Sequence, residues 1–153
     1  MSALTDALDE LKTVIEGVAG ITTVFEDVPQ GAPVTAELPA VVFEVKSATA
    51  PLLRTQTRAI RWPVDLWVLS DERGTDIEDS LPPVYGLPEL ILAAIDANGN
   101  LGGLLDRTVE FGEPAIGIDG ERAFGPITMG ETDYVGTIVH TVLTITRVGG
   151  FSS

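Results

Sequence analysis

The sequence predicts an α+β fold: two helices packed on one face of a mostly antiparallel, mixed β-sheet, with a long β-hairpin arm. Three observations predict it. Two segments place apolar residues at helical spacing, and they stand apart in the chain with three strand-like runs between them and three more after. Those runs are short, β-branched and bounded by glycine and proline, giving the order α-β-β-β-α-β-β-β. The longest, Tyr134 to Val148, is apolar or β-branched on both faces, which suits the centre of a sheet. With no repeat and no linker, residues 1–148 read as a single domain, and Gly149 to Ser153 as a flexible C-terminal tail. A chain of 153 residues can bury roughly 70% of its unfolded surface, enough for a core without metal or disulfide staples.

The first helix spans about Thr5 to Val18. Leu4, Leu8, Leu11, Ile15 and Val18 form one stripe, Asp6, Asp9 and Glu10 sit where the helix dipole favours negative charge, and Gly17 and Gly20 supply stops. Ile21 to Asp27 is a short strand. After a loop marked by Pro29, Gly31, Pro33 and Pro39, Ala40 to Val45 is the second. The third runs from Arg58 to Ser70 with Ile60, Trp62, Val64, Leu66 and Val68 on one face. Pro63 cannot donate to a ladder, so the strand is an edge there or carries a bulge. In the polar connection that follows, Thr75 and Glu78 fit a capping box, and Pro82-Pro83 end any helix begun there. Leu87, Leu90, Ile91, Ala94 and Ile95 then mark the second helix, with Pro88 suited to its first turn and Asn98-Gly99 to its end. Arg107 to Phe111 and Ala115 to Ile118 are strands, and Asp119-Gly120 favours a tight hairpin turn.

Composition excludes whole classes of function. There is no cysteine, hence no disulfide scaffold, zinc-thiolate site or thiol nucleophile. No apolar run approaches the roughly 20 residues of a membrane span, and the first residues show no signal peptide, so a soluble chain made in the cytoplasm is expected. A net charge of −14 repels nucleic acid and anionic membranes alike, because duplex affinity depends on Lys and Arg displacing counterions.

The residues offer no catalytic constellation. His140, the one histidine, lies inside a strand and reads as a hydrogen-bonded structural residue. There is no Gly-x-Ser-x-Gly elbow and no phosphate-binding glycine loop. Asp96-x-Asn98-x-Asn100 begins like a calcium loop, but Leu101 stands where the sharp turn needs glycine and Arg107 where the bidentate glutamate belongs. Asp71, Glu72, Asp76, Glu78 and Asp79 read as a solvated acidic loop. No catalytic, cofactor-binding or metal-binding residue is assigned, and no cofactor is expected.

Charge is segregated along the chain. Residues 45–64 carry Lys46, Arg54, Arg58 and Arg61 and no acid, net +4, while residues 1–44 and 65–96 are each net −7 and residues 97–153 net −4. The basic island coincides with the connection from Lys46 to Arg61, whose tip, Ser47-Ala48-Thr49-Ala50-Pro51-Leu52-Leu53, is small and apolar. One reading is a floppy hairpin end. The other is an arm that orders against an acidic neighbouring subunit, with Lys46, Arg54, Arg58 and Arg61 at the subunit or partner interface.

The layout of elements resembles the tail terminator proteins of long-tailed bacteriophages, a family of small α+β ring-forming proteins. The resemblance is carried by Leu8-x-x-Leu11 followed by Val18-Ala19-Gly20-Ile21-x-x-Val24-Phe25, and by Leu38-Pro39-Ala40-Val41-Val42-Phe43. It continues in Trp67-Val68-Leu69-Ser70, the helix Leu90 to Ala97, and Tyr134-x-Gly136-x-Ile138-x-x-Thr141-x-Leu143. It covers nearly the whole chain as a pattern of elements, and Pro82-Pro83 and Pro88 depart from it before the second helix. The resemblance implies a structural, non-enzymatic virion protein of the tail or neck, assembled in the host cytoplasm. Such a protein caps the tail tube as a homohexameric ring, touches the tail tube protein and the head-tail connector or head completion protein, and lets DNA pass through its lumen without specific binding. Another neck, head-tail joining or tail completion protein shares parts of the pattern. An acidic cytoplasmic enzyme or metal-binding domain is the alternative from a different class.

Overall fold

The computed structural model describes residues 3–26, 38–50, 52–54, 57–72, 85–97, 108–111, 115–118, 122–129 and 132–148. In chain order the elements are α1 (Ala3–Glu16), β1 (Thr23–Phe25), β2 (Ala40–Val45), β3 (Leu52–Arg54), β4 (Thr57–Glu72), α2 (Leu87–Ala97), β5 (Thr108–Phe111), β6 (Ala115–Ile116), β7 (Gly125–Met129) and β8 (Thr132–Val148). The α+β class, the two helices and the mixed, mostly antiparallel sheet are as the sequence predicts.

Two long strands carry the sheet. β4 and β8 pair antiparallel from Thr57↔Val148 to Glu72↔Tyr134. β2 lies on the far side of β4, and β1 joins β2 in the sheet's parallel pairing. Along the outer edge of β8 sit β7, β6 and β5 in turn, against Thr132–Gly136, Val139–His140 and Leu143–Thr146. β8 is therefore central, as its two β-branched faces require. β3 pairs with the start of β4, and Thr49 exchanges both backbone hydrogen bonds with Arg61, at 2.7 and 3.0 Å. The described residues of the predicted arm, Lys46 to Ala50, Leu52 to Arg54 and Thr57 to Arg61, thus extend the sheet.

Strand alternation divides the interior. Val41 and Phe43 of β2, Val64, Leu66 and Val68 of β4, and Val139, Leu143 and Ile145 of β8 face the helices and pack against Ala7, Leu11, Ile15, Leu87, Ile91 and Ile95. The opposite face gathers Val42, Leu69, Ile127, Met129, Tyr134 and Ile138, with Trp67 partly buried among them. α1 ends in i→i−3 bonds from Gly17 and Val18, and Gly20, at φ +94°, turns the chain toward β1. That left-handed conformation is where glycine is favoured. Gly136 meets a different demand: a Cβ there would overlap the Val68 carbonyl oxygen of β4.

The structure settles one expectation and shifts others. Pro63 pairs with Val142 of β8 and has no strand partner on its other side, so β4 is an edge there, the first of the two expected alternatives; the bulge lies at Ser70, between Leu69 and Asp71. Proline is tolerated because β2 ends at Val45↔Val64, so one residue further its missing N–H faces no strand. The Pro63 carbonyl still accepts a bond from the Lys46 N–H at 2.8 Å. β7 was not predicted, and Leu90 is exposed although it fits the apolar stripe. Ile118 N–H donates to the Arg122 carbonyl at 2.9 Å. The Asp119-Gly120 turn itself, the Pro29–Pro33 loop, the Thr75/Glu78 capping box, Pro82-Pro83, Asn98-Gly99 and the tail 149–153 lie outside the described residues.

Candidate functional site

Polar side chains converge on the sheet face turned away from the helices. Strand register lines up Glu44 of β2, Asp65 of β4, His140 of β8 and Ala115 of β6 in one row across four strands. Asp65 is only 4% exposed, a carboxylate in mid-sheet that requires partners. It has them on both oxygens: Oδ1 lies 2.8 Å from His140 Nδ1, and Oδ2 2.8 Å from Lys46 Nζ. Lys46 enters the cluster because the chain leaves β2 alongside β4, which also brings its Nζ to 3.9 Å from Glu44. The hydrogen bond to Asp65 and the attraction of that carboxylate raise the Lys46 ammonium above its ordinary range, with Glu44 adding to the shift and slight burial opposing it.

The imidazole is committed on both sides. His140 Nε2 lies 2.8 Å from the Gly117 carbonyl, which can only accept, so Nε2 donates there. With Nδ1 on Asp65, neither nitrogen remains to serve as a base or a metal ligand. Gly117 also donates its own N–H to the Ile138 carbonyl at 2.9 Å, so the ring staples the segment after β6 onto β8. His140 is hydrogen-bonded, as the sequence reading expects; its partner Asp65, 75 positions away, becomes visible only through the β4–β8 register. Among the described residues no three metal-ligating side chains converge, and no helix is long and apolar enough to cross a membrane.

The four predicted interface residues divide. Lys46 is held by Asp65 of its own chain. Arg54, Arg58 and Arg61 lie at the far end of the sheet: Arg54 ends β3 opposite Thr57, Arg58 is in register with both Leu52 and Arg147, and Arg61 lies between Thr49 and Thr144. Arg147 is the addition that sequence reading misses, because β8 must return along β4 to bring it to the arm. The helix layer has the opposite character. Among the described residues of these segments, Asp6, Asp9, Glu10 and Glu16 of α1, Glu26 after β1, and Glu89 and Asp96 of α2 are acidic and Lys12 is basic. The crowding is felt at Glu26, whose carboxyl is raised by partial burial, then by a hydrogen bond with Asp9 and repulsion from Asp9 and Glu16, against a smaller opposing pull from Lys12.

The chain therefore segregates charge in its fold, with arginine positions on the arm at one end of the sheet and an acidic helix layer on one of its faces. No protein-family model matches the chain, and no curated protein matches it.

Proposed function

We propose that this protein is a structural assembly subunit, a tail terminator that caps a phage tail tube as a homohexameric ring and presents a surface to the head-tail connector. One observation carries the reading: basic and acidic positions sit on different parts of one subunit. A ring is built from head-to-tail contacts, each joining two different patches, and opposite charge on those patches selects the right pairing. A net charge of −14 suits a lumen through which DNA passes without sticking. His140, whose ring is bonded at both nitrogens, supports a structural role over a catalytic one.

Images of virions made without the protein test this reading. Overlong tail tubes are the expected outcome. Tails of normal length that fail to join heads indicate another neck or head-tail joining protein instead, and place the same subunit one position along the neck. Stabilisation of the purified chain by micromolar calcium overturns the assembly reading in favour of a metal-binding domain.

A further inference from the structure

Among the described residues, none covers the outer face of α2. Leu87, Pro88, Ile91 and Ile95 are buried, and the helix turns the opposite arc to solvent: Tyr85, Gly86, Glu89, Leu90, Ala93, Asp96 and Ala97. At about 100° per residue these seven fall within an arc of roughly 140°. Glu89, Asp96 and Tyr85 lie on one flank, Leu90 on the other, and Gly86, Ala93 and Ala97 between them. Tyr85 is 50% exposed and Leu90 47%, and Tyr85 is held in place by an edge-on contact with Phe124 at 4.8 Å. The neighbouring helix is different. The exposed positions of α1 include Asp9, Glu10, Thr13 and Glu16, as water requires. α2 instead offers a shallow, partly apolar surface with an acidic flank.

Its occupant must bring small apolar side chains and positive charge. One segment of this chain has both: Ser47 to Arg61, with Ala48, Ala50, Pro51, Leu52 and Leu53 beside Arg54, Arg58 and Arg61, and no acid. Everything outside residues 45–64 is net negative. A subunit cannot fill its own site. α2 rests on the sheet through Leu87, Ile91 and Ile95, the arm extends that same sheet, and the exposed arc points away from it. We propose that the arm of a second copy docks on the outer face of α2, its apolar tip over Leu90 and Ala93 and its arginines toward Glu89 and Asp96. This rests on the reading of the protein as a self-assembling ring subunit and identifies the two patches that meet.

Charge reversal in the full-length chain tests it, with sedimentation velocity at low salt as the readout and circular dichroism to confirm folding. Reversing the arm (Arg54→Glu, Arg58→Glu, Arg61→Glu) or the helix (Glu89→Arg, Asp96→Arg) is expected to weaken self-association by about tenfold or more. A chain carrying both reversals is expected to regain it, because the two patches again attract. Leu90→Glu, at an exposed position, weakens association in an otherwise native chain. If the native chain associates and both single reversals associate as well as it does, the docking site is wrong while the ring reading stands. If each reversal weakens association but the combined chain does not recover, the two patches do not face each other and the proposal falls. If the native chain stays monomeric both alone and with tube subunits, proposal and ring reading fall together.

Discussion

A carboxylate in the middle of a sheet is costly unless each oxygen is answered, and Asp65 shows how the chain answers it. His140 reaches it across the β4–β8 ladder and Lys46 from the end of β2. Asp65→Ala removes both bonds and leaves His140 Nδ1 and Lys46 Nζ without this partner, so it is expected to cost about 3 kcal/mol, the upper range for hydrogen bonds to charged groups, read by urea denaturation. Lys46 is half exposed, and its bond is worth less, at most about 1 kcal/mol. Its sign with pH is fixed by the raised ammonium. The folded state holds that proton more tightly than the unfolded chain, so the stabilisation is complete below the ordinary lysine value of 10.5 and is lost as pH rises through the raised value. The native chain is therefore expected to be more stable than Lys46→Met at neutral pH. The gap closes in alkali, as denaturation curves between about pH 8 and about pH 12 will read, whereas a gap that persists there assigns it to packing. Gly136→Ala is the steric counterpart. The new Cβ meets the Val68 carbonyl, which cannot retreat without disturbing the β4–β8 ladder, so the cost lies near the top of the roughly 1–3 kcal/mol range for overpacking, measured by thermal melting.

At the scale of elements, what could be read in advance was whatever a local pattern decides. β2 is bounded as expected at Ala40 and Val45, and both helices lie within two residues of their sequence-predicted bounds where the chain is described, because β-branched runs and 3.6-residue stripes are short-range signals. β7 was hidden because Gly125 and Pro126 mimic a turn, and it exists through pairing with β8, which no local rule contains. Pro63 was legible as an edge position because proline cannot donate to a ladder, and β2 stops one residue short of it. The site divides likewise. His140 and the basic arm could be picked out by residue type, but Asp65 and Arg147 join them only through register. The stripe of α2 shows the limit most clearly, since periodicity puts Leu87, Leu90, Ile91 and Ile95 together and cannot say where the stripe ends. The structure buries Ile91 and exposes Leu90. Ile91→Ala is expected to cost about 2–5 kcal/mol, and Leu90→Ala to stay within about 0.5 kcal/mol in the isolated chain. Equal costs, measured by urea denaturation, place Leu90 in the core.

For the whole molecule, the decisive property is the segregation of charge by position in the fold. Net charge alone keeps copies of an acidic protein apart, whereas the proposed docking of the +4 segment on the acidic helix layer of a second copy supplies an orientation in which they attract. Two consequences separate this arrangement from simple acidity. Duplex DNA meets a molecule at −14 whose arm charge is outweighed at long range, so no salt-sensitive binding is expected at physiological ionic strength, as electrophoretic mobility will read. Self-association runs the other way. At about 0.01 M salt charges act over about 30 Å, and at about 1 M over about 3 Å, so raising salt removes both the repulsion between acidic bodies and the attraction of arm for helix layer. Were acidity alone in control, salt would strengthen association steadily. With an oriented basic arm, association is expected to weaken between about 0.05 and 0.3 M salt, measured by sedimentation, and to level off above zero because the proposed apolar contact of the exposed Leu90 is not screened. A monotonic rise with salt removes the arm from the interface.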